Sequence, residues 1–194
     1  MRIAGGTNRG QRLRYPIGGL RPTRNMVKQA ILNILRPHLG QARILDLFSG
    51  SGALGIEALS AGAESALFVE QNRRTVALLR QNLKPYHETA TVMTGDVRRT
   101  IALLSGRQFD IILADPPYEE GLDTQTLALI SQYDLLAPTG IVVLEHSRRD
   151  QPCIPYRLAL VKAYRYGDTT VSTFRNTAEA GHRARPQSKS GGIT

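Results

Sequence analysis

Apolar and polar positions follow two alternating periods along most of the chain. Over residues 23–36, Val27, Ala30, Ile31, Ile34 and Leu35 recur at helical spacing, which predicts a helix with one buried face. Thr23 is its expected N-cap, with Pro22 just outside, and Pro37 ends it. From residue 42, short apolar runs take turns with helical stretches. Strands are predicted over 44–47, 66–70, 91–93, 109–114 and 141–145, and helices over 53–61, 75–83, 97–104 and 124–133. Near-continuous apolar strands separated by helices imply an α/β fold, a parallel sheet covered on both faces. Two more strand-like runs, 158–164 and 170–174, flank Tyr166-Gly167-Asp168 and predict an antiparallel hairpin at the sheet edge. Residues 1–22 carry repeated glycines between short alternating pieces and predict a β-hairpin or irregular arm. The main domain is expected over 23–176. The tail, 177–194, is rich in Gly, Ser, Arg and Lys and is predicted to be disordered.

Charge changes the picture more than length does. The chain of 194 residues has room for one domain with a small appendage. Its net charge is +9, and the distribution is one-sided. No Asp or Glu precedes Asp46, while Arg2, Arg9, Arg12, Arg14, Arg21, Arg24, Lys28, Arg36 and Arg43 all do. Such a segment is an electrostatic footprint for a polyanion, so Arg9, Arg12, Arg21 and Lys28 are candidate nucleic-acid contacts. A single cysteine, Cys153, excludes a disulfide framework and a cysteine-rich zinc site within one chain, and no metal is expected. With no membrane-length apolar run and no signal-peptide core, a cytoplasmic monomer is the expectation.

Asp46-Leu47-Phe48-Ser49-Gly50-Ser51-Gly52-Ala53-Leu54-Gly55 runs from the first of these strands into a helix. Gly50 and Gly52 suit a tight turn and close approach of a ligand, and Gly55 suits close packing of helix on strand. A dinucleotide pyrophosphate fits poorly, because Asp46 precedes the glycines and would repel it. S-adenosylmethionine carries an ammonium and a sulfonium and no phosphate, so an anionic strand end suits it. Glu70 ends the next strand, where a carboxylate can accept from a ribose diol. Asp96 follows the third strand; it can accept from an adenine amine or cap a helix, while the Val97 N–H faces the ring.

Asp115-Pro116-Pro117-Tyr118 follows the fourth strand. Two prolines with fixed φ and no N–H hold the Asp115 carboxylate and the Pro116 carbonyl in a stiff turn. Two acceptors aimed at one point suit an –NH₂ group, and Tyr118 offers a face on which a base stacks. Acceptors for both N–H bonds favour pyramidal nitrogen and free its lone pair, which is what methyl transfer to an aromatic amine needs.

With Arg2-Ile3-Ala4-Gly5-Gly6, Leu20-Arg21-Pro22-Thr23 and Tyr166-Gly167-Asp168-Thr169, these motifs resemble the RsmD family of bacterial 16S rRNA guanine-N2 methyltransferases, from the N-terminus to about Phe174. The resemblance implies a Rossmann-like methyltransferase fold with a mostly parallel seven-stranded sheet and an N-terminal hairpin. It implies a guanine of the small ribosomal subunit as substrate. Donor contacts are implied at Asp46, Phe48, Gly50, Ser51, Gly52 and Gly55, at Glu70 with Gln71, and at Asp96 with Val97. Catalysis falls to Asp115, Pro116, Pro117 and Tyr118, and RNA contacts extend to Thr23 and Tyr118. An acid and an arginine pair that many members carry after the Arg-Pro-Thr element are absent; Lys28 keeps charge without the planar guanidinium fork. A DNA amino-methyltransferase, a dehydrogenase and a non-catalytic RNA-binding module are the rival readings.

Overall fold

The computed structural model describes residues 2–15, 22–118 and 121–177. Its centre is one sheet of seven strands: β1 (Arg43–Leu47), β2 (Ser65–Glu70), β3 (Ala90–Thr94), β4 (Phe109–Ala114), β5 (Leu136–Ser147), β6 (Leu158–Tyr166) and β7 (Thr169–Asn176). Their order is β3-β2-β1-β4-β5-β7-β6. The first five pair in parallel, and β7 runs antiparallel between β5 and β6. This is the mostly parallel, Rossmann-like sheet with a C-terminal antiparallel hairpin that the apolar pattern and the resemblance predict.

The strands bury both faces, and alternate residues divide between two layers. Ile44, Phe68, Ile111 and Val143 face α1 (Pro22–Leu35), α2 (Ala53–Ser60) and α3 (Arg73–Asn82). Leu45, Leu67, Ile112 and Val142 face α4 (Val97–Thr100), the 3₁₀ turn after it, and α5 (Leu122–Gln132). No helix among the described residues is long and apolar enough to cross a membrane.

Three details differ from the sequence reading. Pro22 opens α1 instead of preceding it, since a proline loses no hydrogen bond in the first turn of a helix. The helix expected over 97–104 tightens to 3₁₀ after Thr100. β5 begins at Leu136, well before Ile141, because Leu136 pairs with Phe109 and the register then shifts past Pro138 and Gly140.

The N-terminal segment forms a single antiparallel bridge, Arg2 to Arg12, and is tied down along its length. Ile3 and Leu13 are buried in the core. The Ala4 N–H donates to both carboxylate oxygens of Glu57 at 3.1 Å. The Arg14 N–H donates to Asn82 Oδ1 at 2.8 Å, and Asn82 Nδ2 donates back to the Arg14 carbonyl. The disorder expected for the tail concerns residues that, after Thr177, lie outside the described ones.

Candidate active site

Strand order reverses between β1 and β4, and in open α/β sheets the crevice at such a point, beyond the carboxyl ends of the strands, binds ligands. Here it is a cleft of about 960 Å³, large for a small-molecule site. Successive strand ends line it: Phe48 after β1, Glu70 and Gln71 after β2, Asp96 and Val97 after β3, and Asp115 to Tyr118 after β4. Glu145, Ser147 and the Gly167–Thr169 turn form the far wall, with Val27 of α1 and Leu122 of α5 at the sides.

The loop after β1 owes its shape to positive φ at Phe48, Gly50 and Gly52. A Cβ on Gly52 would stand 2.4 Å from Leu79 Cδ1, and one on Gly55 would stand 2.4 Å from Phe68 Cε1 and 2.9 Å from Asp46 Oδ2. Those two glycines therefore let α2 sit down on the sheet and on α3, and they do not face the cleft. Asp46 is buried and accepts the Gly55 N–H at 3.0 Å, which clamps the start of α2 to β1. Burial pushes its carboxyl up to about 7; the neighbouring Asp115 and Glu70 add to the rise, and the Gly55 hydrogen bond opposes it. The loop is held from behind as well, since Asn82 Nδ2 donates to the Ser51 carbonyl at 3.0 Å. The Tyr15 side chain bonds Ser51, and burial raises its phenol to about 12.

Glu70 joins the loop to its neighbour. Its Oε2 accepts the Gly50 N–H at 2.9 Å and its Oε1 the Asn72 N–H at 2.7 Å. Each oxygen keeps a further lone pair for a hydroxyl donor. Asp96 caps α4 by accepting the Arg98 N–H at 2.8 Å, and the Arg98 guanidinium beside it holds its carboxyl below the usual carboxylate range. Of the residues expected at the methyl donor, Phe48, Glu70, Gln71, Asp96 and Val97 line the cleft. Asp46, Gly50, Ser51, Gly52 and Gly55 are not among its lining residues.

In the Asp-Pro-Pro-Tyr turn, Pro116 is buried while Asp115 and Pro117 are exposed, and all three border the cleft. Tyr118 is 59% exposed and carries its aromatic ring at the cleft. Its hydroxyl is not free: it lies 2.8 Å from Thr169 Oγ1 at the start of β7.

Lys28 corrects the sequence reading. Instead of meeting nucleic acid it is buried, with Nζ 3.0 Å from Glu57 Oε1, and burial lowers its pKa. The same carboxylate holds the Ala4 N–H, so the pair docks both the N-terminal segment and α1 on α2. Arg9 and Arg12 are exposed. Thr23 falls in the first turn of α1, and Arg21 lies outside the described residues.

A family model described as conserved hypothetical protein 95 matches residues 1–175. The chain belongs to this family, the RsmD family. Within it, the YlbH protein of Bacillus subtilis is 36% identical over 181 residues, 90% of this chain and 98% of that one. The ribosomal RNA small subunit methyltransferase D of Escherichia coli is 32% identical, covering 92% of this chain and 91% of its own length. The solved structure of the Escherichia coli protein yhhF superposes with a TM-score of 0.83 at 32% identity, over 91% of this chain and 97% of that one. The family resemblance rested partly on Tyr166-Gly167-Asp168-Thr169, and the fold turns that motif into the cleft wall that meets Tyr118. Glu145 was missed as a site residue, although it ends a predicted strand just as Glu70 does.

Proposed function

We propose that this chain transfers a methyl group from S-adenosylmethionine to the exocyclic N2 amine of a guanine in 16S rRNA of the small ribosomal subunit. The observation that carries the reading is one cleft that holds both Glu70 and Asp96 on one side and the Asp115–Tyr118 turn on the other. Its size suits a nucleoside donor and a flipped base together. Membership of the RsmD family and the E. coli relative named ribosomal RNA small subunit methyltransferase D support an rRNA substrate.

The residues fit the donor. Glu70 retains lone pairs for a ribose diol, and Asp96 and Val97 line the same cleft, where they suit the amine and ring of an adenine. When bound, S-adenosylmethionine would supply an electrophilic methyl carbon on a sulfonium sulfur that can leave with the bonding electron pair. The chain's own groups do the rest. Asp115 and the Pro116 carbonyl accept the two N–H bonds and orient the nitrogen lone pair. Tyr118 stacks on the base, a contact worth roughly 1–3 kcal/mol in nucleic-acid sites. The methylated amine is acidic and gives its extra proton to Asp115 or to water, so no strong base is needed. The exposed Arg9 and Arg12 give the basic N-terminal segment a face for phosphates.

The test is methyl transfer from labelled S-adenosylmethionine to small subunits from cells that lack this protein, followed by mass spectrometry of the rRNA nucleosides. Labelled N2-methylguanosine is expected. Label in N6-methyladenosine or N4-methylcytidine, or no label at all, overturns the proposal.

A further inference from the structure

We infer that Glu145 is the residue that selects guanine among the bases that carry an amine, an inference that rests on the guanine reading above. The last registered pair between β4 and β5 is Ala114 with Leu144. Both side chains belong to the layer that packs α4 and α5. Alternation along β5 turns Glu145 to the face opposite Leu144, and Asp115 is the first residue beyond β4. They follow directly on neighbouring strands, whose spacing is about 4.8 Å, and both line the cleft. A half-buried carboxylate therefore stands beside the turn that takes the amine.

The chemistry of the bases makes that position discriminating. In guanine the atom next to the 2-amine on the pairing edge is N1, which carries a proton. In adenine the ring nitrogen on that edge beside the 6-amine has a bare lone pair, and so has N3 beside the 4-amine of cytosine. With the amine held by Asp115 and Pro116, a neighbouring carboxylate accepts a hydrogen bond from guanine and meets a repelling lone pair in the other two. A site built to bond a donor rejects an analogue that lacks it. Asp115 and Pro116 alone would take any of the three amines. Arg149, which also lines the cleft, is a donor of the kind guanine O6 accepts.

The experiment compares guanine with 2-aminopurine at the position the wild-type protein methylates. 2-Aminopurine keeps the 2-amine and lacks the N1 proton and O6. Loss of O6 is common to every protein tested, so the comparison between proteins isolates N1. Wild type, Glu145→Ala and Glu145→Gln are each assayed for kcat/KM on both RNAs. Wild type should prefer guanine strongly. Glu145→Ala should lose about 10- to 100-fold on guanine, the value of a hydrogen bond to a charged acceptor, and lose little on 2-aminopurine, so the preference collapses. Glu145→Gln keeps the shape of the side chain and decides the matter if the alanine variant fails to fold; its amide can also donate to a bare N1, so its preference should shrink too. An unchanged preference in the folded variants, with N2-methylguanosine still the product, overturns the role of Glu145 alone. A wild-type product on adenine or cytosine overturns the guanine reading, and this inference with it.

Discussion

The Tyr118 hydroxyl lies 2.8 Å from Thr169 Oγ1. That bond ties the end of the Asp-Pro-Pro-Tyr turn to the first residue of β7, so the ring has a fixed edge. Thr169→Val keeps the shape and removes the partner. The rate at saturating RNA should fall about 2- to 10-fold, the worth of one neutral hydrogen bond, and Thr169→Ser should restore it. Single-turnover methylation of small subunits checks both.

In the proposed reaction, Asp115→Ala removes one of the two acceptors for the amine. Its bond strengthens as positive charge builds on nitrogen, so the loss should appear in kcat, by about 10²–10³-fold, with the KM for RNA little changed. A rise in KM at constant kcat would show that Asp115 only binds.

Gly55→Ala should destabilise the fold by about 1–3 kcal/mol, because the new methyl collides with the Phe68 ring and the Asp46 carboxylate. Gly40→Ala is the control: no atom lies within 4 Å of a Cβ there. Urea unfolding of both variants reads the difference.

Asp46 gives a pH dependence whose sign is unusual for a carboxylate. Its folded-state pKa, about 7, lies above the ordinary value of 3.8. The folded chain therefore binds more protons than the unfolded one between those values, and stability falls as pH rises through that window. Asp46→Asn removes the titration. Its stability relative to wild type should climb from pH 4 to about 7 and then level off, in unfolding curves measured across that range.

Two kinds of basic residue should separate in one pair of measurements. Lys28→Ala strands the buried Glu57 without its cation and should cost about 3–5 kcal/mol of stability, with the salt dependence of RNA affinity unchanged. Arg9→Ala and Arg12→Ala leave stability alone. Each should reduce the slope of log affinity against log salt by about 0.7–0.9.

Much of this molecule is legible locally. The apolar runs of β1, β2, β3 and β4 and the helical stripe of α1 follow from residue period alone, and Pro37, Gly62 and Pro85 mark ends that lie within a few residues of the observed ones. The stiffness of the Asp-Pro-Pro-Tyr turn is local as well, since proline fixes its own φ wherever it stands. Side-chain fate is different, because it depends on partners distant in the chain. Lys28 and Arg9 read alike as cations in an acid-free segment, yet one is buried against Glu57 and the other is exposed. Asp46 and Glu70 read alike as strand-end acids, yet the helix that Gly55 draws in covers the first and leaves the second at the cleft. Only the order of the strands brings β5 and the β6–β7 turn around to face Asp115, which turns Glu145 and Thr169 from ordinary strand residues into walls of the site. Sequence determined the elements and the chemistry carried at their ends; long-range pairing decided which of those groups meet, because period and turn preference act over a few residues and burial acts over the whole fold.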